Sequence, residues 1–311
     1  MFNVPGIAAS DYWKQYLDPD EIATVEEASR TIEIQSSGIA VHVRCYIHDQ
    51  PAPTVVIAHG MLGYGLAFSR FQLPFFRAGF NVVQFDLPGM GQSGGRRGSF
   101  AVPVLIQAWR DVIDFARHSF DGPIFLTGNA EDGVLAYYAA ANDPDVAAIS
   151  VHTLFEYGDP AGVGWIGPDW LVRIIRPVFA LAARVRPTTG LKGTRVIPWQ
   201  HVFAGPGDDR FRTLLAEDPL SLQRGEASLG YSLMRPLPPP VAFEDCRTPV
   251  QVIVSTHSRI WGPMPILRSY FRLGGPKELV ALRGSPHWEM NRQFHERYCN
   301  HVIGWFRRHA S

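Results

Sequence analysis

Two β-branched, alternating runs at residues 31–35 and 40–47 flank Ser36-Ser37-Gly38 and predict an N-terminal hairpin. The run TVVIAH at 54–59 is continuously apolar, which suits a strand covered on both faces. A helix-like aromatic stretch follows to Phe80, with Pro74 expected at a first turn or a kink. NVVQFD at 81–86 is the next buried strand, running into the Gly-rich loop LPGMGQSGGRRG. Residues 103–120 are amphipathic and helical, 123–127 read as a strand, a small-residue helix starts near Gly133, and 147–153 read as another strand. Strands alternating with helices at this rhythm predict a mostly parallel central sheet with crossover helices, an α/β fold.

Between 157 and 240 the rhythm breaks into helical patches rich in Pro and Gly, closing on Pro236-Leu237-Pro238-Pro239-Pro240. This stretch is expected to be an inserted helical cap, with 1–156 and 241–311 forming the core. The sheet resumes at 249–254, a last short strand falls at 279–282, and 294–308 is a closing helix.

Composition narrows the function classes. The 311 residues suffice for one large domain with an insertion. Lys plus Arg and Asp plus Glu both number 29, a balance that argues against a nucleic-acid partner. No apolar run approaches 20 residues and no basic start precedes an apolar stretch, so a cytoplasmic protein without a stable membrane anchor is expected. Cys45, Cys246 and Cys299 share no ligand spacing, and no His/Asp/Cys cluster suggests a metal; no cofactor is expected. Oligomeric state is not legible.

The chemistry concentrates at IFLTGNAEDGVLAYYAAA, residues 124–141. A strand, a sharp turn and a helix follow one another, the arrangement that raises a nucleophilic Ser in G-x-S-x-G. Here the nucleophile position is Ala130, between Asn129 and Glu131. A methyl group cannot attack a carbonyl.

Five segments in order resemble the α/β-hydrolase superfamily, and most of all its monoacylglycerol lipase, lysophospholipase and serine-aminopeptidase-like branch. These are His59-Gly60-Met61-Leu62-Gly63, the Asp86–Ser93 loop with Gly94-Gly95-Arg96-Arg97-Gly98, the turn at Gly128, Glu217-Asp218-Pro219-Leu220, and Gly284-Ser285-Pro286-His287. The resemblance covers about residues 30 to 308 and implies an α/β-hydrolase fold. It further implies an oxyanion hole from the backbone N–H groups of Met61 and Glu131, with His59 and Gly60 in the loop that shapes the substrate site. His287, beside Trp288, would be the general base, and Trp288 a substrate contact.

The usual acid position is Ser258, which can orient an imidazole but cannot offset an imidazolium charge. Glu156 and Asp159, beyond the strand at 147–153, are alternative acids or hinge residues of the insertion. Laboratory substitution and evolutionary loss both fit Ala130, and Ser258 points to the second. Glu131 and Asp132 put negative charge near a helix N-terminus, where it is favoured. A catalytic alternative is proton transfer between one of them and His287. Between Trp170 and Gly207 six basic residues (Arg173, Arg176, Arg184, Arg186, Lys192, Arg195) meet no acidic one. An ordinary cap with its Arg stems over apolar surface explains this more simply than a membrane surface does, and Pro177 is expected to interrupt the helix there.

The expected function is acyl (carboxylic ester) hydrolysis of a small apolar or lipid-like substrate, in a form lacking its Ser. The alternatives are a nucleophile-free lyase, cyclase or isomerase using His287 and the oxyanion hole, and a non-catalytic ligand-binding pseudo-hydrolase.

Overall fold

A computed structural model describes residues 9–61, 63–192 and 198–310. Leu62 and Arg195 of the motifs above lie outside the described residues. The ten strands are β1 (Ser29–Ser36), β2 (Ile39–Tyr46), β3 (Thr54–Ile57), β4 (Asn81–Phe85), β5 (Ile124–Asn129), β6 (Val146–His152), β7 (Gly190–Lys192), β8 (Arg224–Glu226), β9 (Val250–Ser255) and β10 (Lys277–Leu282). Eight of them form one sheet in the order β1-β2-β4-β3-β5-β6-β9-β10. The β1–β2 and β2–β4 pairs are antiparallel and the other pairs run parallel. Residues β3 to β6 carry are almost all buried, as the continuous apolar runs require when helices cover both faces. The hairpin closes through Ser37 and Gly38, both at positive φ (50° and 74°), the pairing that matches strand twist.

The helices that position the site are α1 (Pro19–Ala28), α2 (Ser69–Arg77), α3 (Val102–Ser119), α4 (Glu131–Ala140), α5 (Asp169–Val185), α6 (Trp199–Val202), α7 (Asp208–Glu217), α8 (Ala227–Met234), α9 (Pro263–Arg272) and α10 (Arg292–Arg308). One proline expectation needs correction. Pro177 sits inside α5 and does not end it, while Pro74 falls inside α2, past its first turn. Pro177 is exposed, so water can satisfy the carbonyl that loses its partner one turn back. Helix α4 begins at Glu131, two residues before the expected start, because the turn is so tight that the helix opens directly from it.

Among the described residues, 157–240 send no strand into the large sheet, and β7 and β8 pair with each other. Their Asp218 explains the Glu217–Leu220 motif. Its Oδ2 accepts from the hydroxyls of Tyr16 and Tyr64, both at 2.8 Å, while Oδ1 accepts from Leu220 N–H at 2.8 Å. One carboxylate thus ties the N-terminal segment and the loop after His59 to the start of the chain's return. All three cysteines are buried and free.

Candidate active site

The turn between β5 and α4 is strained and has no hydroxyl. Ala130 adopts φ 55°, ψ −127°, a region that a side chain enters only when its surroundings enforce it, at a cost of about 1–3 kcal/mol. The enforcement is steric. A Cβ on Gly128 would lie 2.4 Å from the Asp132 carbonyl carbon, so the chain passes over itself with room only for hydrogen. Ala130 then lines a small cavity of about 40 Å³ with His59, Gly60, Met61, Phe68, Asn129, Glu131, Val202, Phe203 and Trp261. A space of that size holds only a few waters. Most of its wall is apolar.

Met61 and Glu131 meet at this cavity, and among the described residues no partner takes either main-chain amide. Glu131 is the first residue of α4, where the N–H has no acceptor within the helix and the dipole favours negative charge. Such a pair is suited to an oxygen that gains charge. His59 shapes the loop rather than reacting. Its Nε2 accepts from Leu87 N–H at 3.1 Å, which leaves Nδ1 to donate to the Gly60 carbonyl at 2.5 Å. Burial lowers its pKa and keeps it neutral.

Two carboxyls lie directly behind this site. Asp132 is wholly buried, and its Oδ2 accepts the Gly60 N–H, joining α4 to the loop that carries Met61. Desolvation raises its pKa to about 7, opposed by that backbone contact. Glu131 is 2 % exposed, and desolvation first, then the charge of Asp132, raise it to about 8. The Tyr157 hydroxyl works in the opposite direction without a well-formed hydrogen bond. A carboxyl at each of these two positions is therefore a proton store near neutrality.

The surroundings of His287 are arranged differently. His287 is 1 % exposed, its Nε2 has no partner among the described residues, and burial followed by the charge of His152 holds its pKa well below 6.5. Its ring stacks on His152, centroids 4.7 Å apart and planes at 19°. His152 in turn pairs with Asn129 Oδ1 at 3.3 Å and Ser255 Oγ at 3.0 Å, with its pKa pushed down to about 3 by burial. Trp261, a wall of the cavity, packs 4.8 Å from the His287 ring. The imidazole itself is not among the residues that line the cavity.

No candidate acid reaches His287. Glu156 pairs with Arg272 at 3.2 Å, and Asp159 pairs with Arg268 at 3.5 Å while capping Ala161 N–H at 3.0 Å. Both side chains are held by arginines of α9 on the outside of the molecule. Ser258 Oγ accepts from the amides of Ile260 and Trp261 at 3.3 and 3.2 Å, a turn contact that seats Trp261. Trp288, expected as a substrate contact, does not line the cavity. It is wholly buried against Phe71, Phe294, His295 and Tyr298, in the core. The sequence reading missed Trp261, Phe203 and His152. Trp261 stands three residues after Ser258, and His152 ends an apolar strand, so neither carries a spacing that announces it.

The profile of the family described as serine aminopeptidase, S33 matches residues 49–290. The chain belongs to that α/β-hydrolase family. A phospholipase of Bacillus subtilis, YtpA, is 36% identical over 92 residues, 28% of this chain and 34% of that protein. An uncharacterised 31.7 kDa protein of Escherichia coli is 30% identical over 128 residues, 40% of this chain and 45% of that one. The matches span less than half the length of these curated relatives. Among solved structures, a hypothetical protein from Pseudomonas aeruginosa aligns at TM-score 0.74 and 15% identity, covering 99% of both chains. A monoacylglycerol lipase from Paleococcus ferrophilus aligns at TM-score 0.63 and 19% identity, covering 89% of this chain and 99% of its own. At such identities the likeness carries the fold. The fold and family are of α/β-hydrolase type.

Proposed function

We propose that the protein binds the carbonyl of a small apolar acyl or ester compound against the amides of Met61 and Glu131, and that with Ala130 it forms no acyl-enzyme. The observation that carries this is Ala130 itself, held at φ 55° on the wall of the cavity that both amide-bearing residues line. In this reading 157–240 form a cap over a core of 1–156 and 241–311, and Val202 and Phe203 supply the cavity's roof. The lipase and esterase character of the related structures supports a lipid or ester ligand.

The test is fluorophosphonate labelling of the full chain. The protein should stay unlabelled, and Ala130→Ser should be labelled, slowly because the imidazole lacks an acid partner. Labelling of the unaltered chain, or none after the substitution, overturns the reading. A nucleophile-free lyase or isomerase is the second reading, favoured by Glu131, whose buried carboxyl keeps its proton to about pH 8 at the cavity edge. Under it, Glu131→Gln or His287→Ala abolishes turnover while Ala130→Ser changes it little.

A further inference from the structure

Helix α5 carries an apolar face that no described residue covers. Trp170, Ile174, Val178, Leu181 and Val185 are between 59 and 66 % exposed, although Val172 on the other side of the helix is buried and Ile175 and Phe179 pack on the core. Their spacing of four, four, three and four residues keeps them in one stripe along the axis. The fifteen steps from Trp170 to Val185 at helical rise make that stripe about 22 Å long. Isolated exposed apolar side chains are ordinary; five in register on one helix are not.

The charges beside the stripe select its occupant. Arg173 and Arg184 are 11 residues apart, three helical turns, so both exposed guanidiniums line one edge of the stripe. Arg186 follows just past the last turn, also exposed. Asp169 is the single acidic residue of the helix. No ion pair engages these three arginines among the described residues. Trp170 at one end has the amphipathic ring that favours the boundary between apolar and wet surroundings. A second copy of the chain fits poorly. Antiparallel two-fold pairing of the stripe on itself puts both arginine edges on one side of the pair, with no acid between them.

We propose that α5 is a peripheral docking face for a bilayer surface containing anionic lipid, the apolar stripe entering the headgroup boundary and Arg173, Arg184 and Arg186 meeting lipid phosphates. The helix lies along the surface and does not span it; no helix among the described residues is long and apolar enough to cross a membrane. This inference is independent of the cavity's chemistry, since it concerns adsorption and not turnover.

The experiment is co-sedimentation of the full chain with phosphatidylglycerol vesicles and with phosphatidylcholine vesicles. Binding should appear on phosphatidylglycerol, weaken with salt, and be far lower on phosphatidylcholine. Ile174→Glu with Leu181→Glu should remove it. Arg173→Gln with Arg184→Gln should weaken it about thirtyfold, from two surface charges. All four side chains being outside the core, thermal melting of each variant should match the unaltered chain, which separates lost docking from lost folding. Absence of binding to phosphatidylglycerol, or equal binding by both variants, overturns the proposal. So does sedimentation velocity showing a dimer that Ile174→Glu with Leu181→Glu dissolves, which would assign the face to self-association.

Discussion

Two sides of the candidate site are built from different kinds of group. On one, Met61 and Glu131 bring main-chain amides to the cavity, and the turn that opens α4 holds a strained backbone at Ala130. On the other, side chains meet: Ser258 serves as a turn acceptor, and the His287 ring lies against His152. Main-chain donors are placed by the fold whatever side chain stands there, whereas a proton relay depends on the identity of each residue. In the proposed reading, amides placed this way bind an oxygen that gains charge without a covalent step.

Four substitutions would break or sharpen this contrast. The largest effect is expected from Trp261→Ala, which removes a ring that both lines the cavity and packs on His287. Loss of a buried Trp costs about 3–5 kcal/mol by denaturant unfolding, and water entry should raise the His287 pKa toward 6.5 by NMR titration. A ring that stays untitratable after that change would mean Trp261 is not what keeps it dry. Next is Glu131→Gln. The native protein holds protons on Glu131 and Asp132 to about pH 8 and 7, whereas their unperturbed values are 4.5 and 3.8. Because the folded values are raised, the stability these groups contribute is full below about pH 4 and declines as pH rises toward 8. Glu131→Gln should therefore gain stability over the unaltered chain progressively across that window, and a constant difference would refute a retained proton.

Asp132→Ala leaves the Gly60 N–H without its acceptor, a loss of about 1–3 kcal/mol for a buried donor. It should also loosen the Met61 loop, read as faster hydrogen exchange there; unchanged exchange would assign the carboxyl no positioning role. The smallest effect is expected from Ala130→Gly. Relief of about 1–3 kcal/mol of backbone strain, less the 0.5–1 kcal/mol entropic penalty of glycine, leaves a gain of about 1 kcal/mol. A loss of stability would show that the turn is less strained than its dihedrals state.

Burial pulls stability in the other direction at low pH. His152, His287 and His295 all have folded pKa values below the ordinary 6.5, two of them at about 3. Their contribution is present above pH 6.5 and lost as pH falls below it.

What the sequence made legible follows from how each feature is encoded. The sheet was readable because β3, β4 and β5 are continuous apolar runs with turn residues at their ends, and the register follows from alternation in the hairpin. The turn at Gly128 was readable because close backbone approach demands glycine at a fixed offset. The walls were not. Trp261, Phe203 and His152 come from distant segments brought together by the sheet, and nothing local distinguishes a cavity wall from core. Trp288 shows the converse: adjacency to His287 in sequence suggested a ligand contact, but the indole is fully buried among Phe71, Phe294, His295 and Tyr298. Pro177 misled because a proline's effect on a helix depends on whether water can reach the freed carbonyl.

The carboxylate of Asp218 gives the first dozen described residues a structural duty. Since Tyr16 and Tyr64 share one oxygen atom, trimming the chain past Tyr16 would remove one of that oxygen's two phenolic donors and slacken the segment leading from His59 to α2. Any truncated version made for crystallisation should therefore begin upstream of that tyrosine, or the wall around Ala130 will be studied in a relaxed form.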